Sequence, residues 1–109
     1  MAINIFKNVT ANLVTGGAVL YTAPTGYTAI VLSAQLSNIT NNPVETSMFL
    51  LAVGGSPATS LITNFSVPAY DAAAATTGKL VIQSGQSILA SAVSNSSIQL
   101  VLSILETQN

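Results

Sequence analysis

The chain of 109 residues has no cysteine, no histidine and no tryptophan, and its only charged residues are Lys7, Glu45, Asp71, Lys79 and Glu106. Each absence excludes a kind of chemistry. Without cysteine there is neither a disulfide framework nor a thiolate, so stability must come from packing and backbone hydrogen bonds. Zinc loses its usual ligands when both histidine and cysteine are missing. The three acids are not set at the alternate spacing of a calcium loop. The thirteen serines have no imidazole to act as base and no G-x-S-x-G elbow to present one. Lys79 is not preceded by S-x-x-K, so a Ser-Lys pair is not indicated either. No enzyme, metal or cofactor is expected.

Charge of either sign is scarce: 5% of residues against roughly 25% in an ordinary soluble domain. Two lysines cannot neutralise a row of phosphates, which excludes nucleic acid as a natural partner, and they cannot anchor the chain to an anionic membrane surface. The longest apolar run, Met48 to Val53, falls far short of the roughly 20 residues of a spanning helix. The amino terminus lacks the basic, apolar and small-residue segments of a secretory signal. The expectation is a protein made in the cytoplasm and carried out of it by assembly into a particle. Glu45, Asp71 and Glu106, at a strand start, a loop and a chain end, read as exposed solubilising charges. A surface otherwise this neutral is suited to burial against other protein, because few ions would have to be stripped of water.

What the chain does have is period-two alternation in short segments bounded by Gly, Pro, Asn and Ser, the pattern of an all-β domain. Thr28, Ile30, Leu32, Ala34 and Leu36 fall on one face of a strand, with Ala29, Val31, Ser33, Gln35 and Ser37 on the other. Ile98, Leu100, Leu102 and Ile104 form a wholly apolar face. Further strands are read at 18–23, 45–53, 58–67, 79–83 and 87–93, with breakers at Pro24 and Gly26, Gly54-Gly55 with Pro57, Pro68, Gly85 and Asn95-Ser96-Ser97. An amino-terminal strand at 3–13 brings the number to about eight, which suits a single antiparallel β-sandwich, jelly-roll-like, over residues 1–109, with 1–17 an arm or edge strand. Asp71 to Thr76 is the one helical candidate, too short to stand as a helix in water, and reads as a loop with at most one turn. Residues 1–2 and 107–109 are expected to be flexible ends.

Four Asn-x-Ser/Thr triplets, at Asn8, Asn38, Asn64 and Asn95, are attributed to chance in a chain rich in these residues. The aromatics Phe6, Tyr21, Tyr27, Phe49, Phe65 and Tyr70 are scattered singly and fit core and rim packing. Tyr27 and Tyr70, beside turn residues, are the two candidate contact anchors, since tyrosine joins an apolar body to a polar tip at interfaces.

Several segments occur in a familiar order. Tyr21-Thr22-Ala23-Pro24 with Thr28 to Leu32, then Val67-Pro68-Ala69, then the run from Gly78 to Ile88, then Leu102-Ser103-Ile104-Leu105-Glu106 follow one another. Over most of residues 20–106 the chain thereby resembles small virion structural proteins of tailed bacteriophages. Gln83 and Gln86 stand where that group tends to have Glu and Asp. The resemblance implies a capsid decoration or cement subunit that bridges coat subunits, or else a neck or tail component. It also implies the major capsid protein or other phage structural proteins as partners, and a homo-oligomer, a trimer being favoured. A free-standing carbohydrate-binding module is the further alternative.

Overall fold

The structure is a computed structural model that describes residues 4–75 and 78–109. Among these residues nine strands follow in chain order: β1 (Asn4–Asn12), β2 (Ala18–Thr22), β3 (Tyr27–Asn38), β4 (Val44–Leu51), β5 (Ala58–Val67), β6 (Ala72–Ala74), β7 (Leu80–Ile82), β8 (Ser87–Ala92) and β9 (Ile98–Gln108). They form two antiparallel sheets, one ordered β1-β9-β3 with β6 and β7 both on the far side of β3, the other ordered β2-β8-β4-β5. The pairs nest: β1 with β9, β2 with β8, β3 with β6 and β7, β4 with β5. This is one long hairpin of strand pairs wound into a two-sheet jelly roll, with β6 and β7 as halves of a single interrupted strand. The nine strands therefore occupy the eight positions of that fold.

The core lies between the sheets. Ile98, Leu100, Leu102 and Ile104 of β9 meet Ile88, Ala90 and Ala92 of β8 and Val44 and Met48 of β4, all buried. The apolar face read along β9 is the face that packs. In β3 only half of the reading holds. Ala34 and Leu36 are buried, but so are Ala29 and Val31, while Ile30 and Leu32 are only half-buried. The register with β9 shifts between Val31 and Ser33, so Leu32 sits in a bulge, and an extra residue reverses which parity faces the core. On the other side of β3 the same place faces the break between β6 and β7: Val31 pairs with Leu80 and Gln35 with Ala74.

Two further expectations change. Ala72–Ala74 is a strand and not a helical turn, because pairing with Leu36 and its neighbours outweighs the helix propensity of alanine in so short a piece; Thr76 lies outside the described residues. The carboxyl end is held rather than free: Thr107 pairs with both Asn4 and Thr28, the Asn109 amide donates to the Gly26 carbonyl at 2.8 Å, and Thr28 Oγ1 donates to Asn109 Oδ1 at 2.7 Å. Met1–Ala2 lies outside the described residues.

The Asn38 triplet has a structural role. Its buried amide Nδ2 donates to the Asn42 carbonyl at 2.7 Å and the Val67 carbonyl at 3.0 Å, and Oδ1 accepts from the Thr40 amide and hydroxyl at 2.9 and 2.7 Å. Three of these bonds shape the turn after β3 through Thr40 and Asn42, and the fourth ties it to the end of β5 at Val67.

The bulge makes a discriminating prediction. Leu36→Ala empties a core position and should lower stability by about 2–5 kcal/mol, whereas Ile30→Ala should cost less than about 1.5 kcal/mol. Urea unfolding of the two variants measures this, and equal losses would contradict the change of face.

Candidate interaction surface

The two tyrosines singled out from the sequence are not brought together. Tyr27 begins β3, half-buried, its amide donating to the Pro24 carbonyl at 3.0 Å. Tyr70 lies past the other end of β3, where Asn38 N–H donates to the Asp71 carbonyl at 2.8 Å. They stand roughly 35 Å apart by the rise of an extended strand. Tyr70 is 74% exposed in a turn and takes a left-handed backbone, φ 54°. Its amide donates to the Thr40 carbonyl at 3.1 Å.

Glu106 is not the exposed end charge that composition suggests. Its side chain is 2% exposed, because the inward alternation of β9 continues one step beyond Ile104. Two partners accompany it. Tyr21 Oη, from β2 in the opposite sheet, donates to Oε2 at 2.5 Å, and Lys7 Nζ, from β1, lies 3.2 Å from Oε1. The carboxylate thus links three strands and both sheets. Burial first, then the hydrogen bond to Glu106 and the nearby carboxylate charge, push the Tyr21 phenol well above its usual range. The signal for this site was present in the pattern: Glu106 shares the parity of the apolar face.

Lys7 and Glu106 lie on the core-facing parity, so among the described residues the strands of the first sheet place no charged residue on its outer face. Directly opposed residues share a face in an antiparallel ladder, and the register places Phe6, Leu105, Ile30 and Val81 side by side across four strands. Phe6 is 75% exposed and Val81 is also exposed. The neighbouring rows are Asn8 with Ser103, and Thr10 with Val101 and Gln35. The outer face of the second sheet has its own row, Val19-Leu89-Phe49-Ser60, and one acid, Glu45. Between β5 and the interrupted strand opens a cleft of about 360 Å³, lined by Leu61, Ile62, Phe65 and Leu80 with Lys79 at its rim. Among the described residues no three His, Cys, Asp or Glu side chains group as metal ligands would. The chemistry this surface offers is apolar contact and hydrogen bonding by amides and hydroxyls.

No protein-family profile matches the chain, and no curated protein matches it in sequence. Its fold does have solved counterparts. A Bacillus endospore appendage, from a group described as a family of disulfide-linked pili, superposes with a TM-score of 0.58 at 12% identity, over 99% of this chain and 88% of that one. A chain of T=1 particles derived from infectious bursal virus aligns with a TM-score of 0.47 at 12% identity, over 98% of this chain and 31% of that one. The pilus likeness shows a shared β-sandwich fold at low identity.

The buried cluster sets a pH prediction. A phenol whose folded pKa is raised contributes stability that is complete below its unfolded value of about 10 and is lost as pH climbs above it. Tyr21→Phe should therefore flatten the alkaline fall in stability. At neutral pH it should cost about 1–3 kcal/mol, because a buried carboxylate oxygen loses its donor. Urea midpoints from pH 7 to 11 test both, and an unchanged alkaline slope would remove Tyr21 from the account.

Proposed function

We propose that this protein is a non-enzymatic structural subunit whose sheet faces and edges are buried against copies of itself and neighbouring proteins in an ordered assembly. One observation carries the reading: among the described residues the strands of the first sheet place no charged residue on an outer face crossed by Phe6, Leu105, Ile30 and Val81. An apolar row so placed is suited to contact with protein and gains little from facing water. Desolvating the surrounding Asn, Gln, Ser and Thr strips no charge, so the cost of burial is small.

The specific form we assign is a virion subunit of a tailed bacteriophage, acting as a capsid decoration or cement protein. Its support is the order of motifs between Tyr21 and Glu106. Its mechanism is adhesive: the subunit adds apolar and hydrogen-bonded area across the joints between coat subunits, with the major capsid protein as partner, and stiffens the shell. A neck or tail position would use the same surfaces. Tyr27 and Tyr70, at opposite ends of β3, would serve as separate contacts to different neighbours.

A second reading, a filament subunit, is favoured by the match to most of an endospore appendage protein. Those pili are described as disulfide-linked, and this chain has no cysteine, so a filament of it would be held by non-covalent contacts alone.

Mass spectrometry and cryo-electron microscopy of purified particles should find the subunit in stoichiometric amount on the head, and particles stripped of it should lose heat resistance that added protein restores. Absence from the particles, together with filaments grown from pure protein, would replace the first reading with the second.

A further inference from the structure

The four sheet edges are not equivalent. An exposed edge is a template for pairing with another strand, and proteins block it with short strands, bulges, proline or charge. Three edges here are blocked. β2 has five residues and a register shift beside Leu20. β5 has two register shifts against β4 and a left-handed residue, Asn64 at φ 48°. β6 and β7 are three-residue pieces with a break between them. β1 is neither short, bulged nor interrupted by proline, and it carries a single charge. Its nine residues pair with β9 in unbroken register from Asn4 to Asn12, it contains no proline, and no other strand among the described residues pairs with its outer side. Its one charge, Lys7, lies on the core-facing parity and is held 3.2 Å from the buried carboxylate of Glu106. The Lys7 side chain stays 46% exposed, so this ion sits at the rim of the sandwich, tied to Glu106 instead of standing free along the edge.

From these observations we infer that β1 is a self-association edge, on which β1 of a second copy pairs antiparallel about a two-fold axis through Asn8. The inference rests on the assembly-subunit reading above and names the strand that joins two copies. Asparagine stands at both ends and at the centre of β1, at Asn4, Asn8 and Asn12. In that register Asn4 meets Asn12, Phe6 meets Thr10 and Asn8 meets its own copy on the outer face, all of them exposed. On the inner face Ile5 meets Ala11 and Lys7 meets Val9. Asparagine has both donor and acceptor groups, so it can bond to an identical residue across a two-fold axis, which a carboxylate or ammonium cannot. A register one pair toward the amino terminus would set Lys7 against Lys7, and like charges directly opposed are unfavourable. Pairing about Asn8 uses all nine residues and joins the two first sheets into one continuous sheet, with both Phe6 rows on the same side.

The absence of cysteine makes the register directly readable. Asn8→Cys should form a covalent dimer under mild oxidation, since directly opposed β-carbons approach disulfide distance. Asn4→Cys and Asn12→Cys should each give little alone and a heterodimer when mixed. In a second arm, Asn8→Lys and Asn8→Asp, each shown folded by circular dichroism, should each sediment at a lower mass than wild type, and their equimolar mixture should recover the wild-type mass. Cross-linking that peaks at another position, or charged variants that assemble like wild type, would overturn the β1 pairing and leave the assembly reading standing. A wild-type chain that remains monomeric at every concentration would overturn both.

Discussion

The ladder between β3 and β9 is the contact on which the rest of the sandwich depends. It runs from Tyr27 opposite Gln108 to Asn38 opposite Ile98, and β1 adds to its far side along the whole of its own length. Because β9 is the last strand and sits between β1 and β3, the first sheet closes only when the end of the chain meets its beginning. Such pairing is almost entirely non-local, so its loop-closure cost falls before its contacts are made, which predisposes folds of this kind to slow formation. The same ladder holds Thr107 and Asn109 in place and carries Glu106 into the core.

Glu106 shows how a chain with almost no charge uses what it has. A buried carboxylate is costly unless its oxygens are satisfied, and here one accepts from Tyr21 and the other faces Lys7. The pair is weak evidence for stability, since an apolar replacement of the whole cluster could pack as well. Its geometric effect is larger. Tyr21 belongs to the second sheet, so the bond fixes how the two sheets sit over one another at this end. Lys7 belongs to an edge, so the same cluster pairs the one charge of that edge with β9 at the rim of the sandwich. One buried ion thus serves internal alignment and leaves an outer face of the first sheet built of amides, hydroxyls and apolar side chains.

Much of the architecture was legible along the chain. The breaks at Pro24, Gly54-Gly55, Pro68 and Gly85 fall between strands as turn chemistry requires, and Gly85 shows why: its φ of 84° and a virtual β-carbon only 3.1 Å from Val53 leave little room for a side chain. The β9 face from Ile98 to Ile104 was equally plain, because no bulge interrupts it. The β3 face was legible only beyond Leu32, at Ala34 and Leu36, because one extra residue there reverses the parity of the part before it. The alanines at 72–74 read as a loop with at most one turn because local propensity knows nothing of β3 waiting beside them. The Asn38 triplet looked like chance composition until its amide was seen bonding to Val67, 29 residues away.

The sequence alone determined the class of structure and the chemistry unavailable to it. Period-two alternation and turn residues are local, and a missing side chain is missing in every conformation. Tertiary structure alone decided the nesting of the strand pairs, the burial of Glu106 with Tyr21 and Lys7, and the difference between a guarded edge and an open one. These depend on residues far apart in the chain: a bulge is defined only against a partner strand, and a charge is turned inward only where a distant group is placed to receive it.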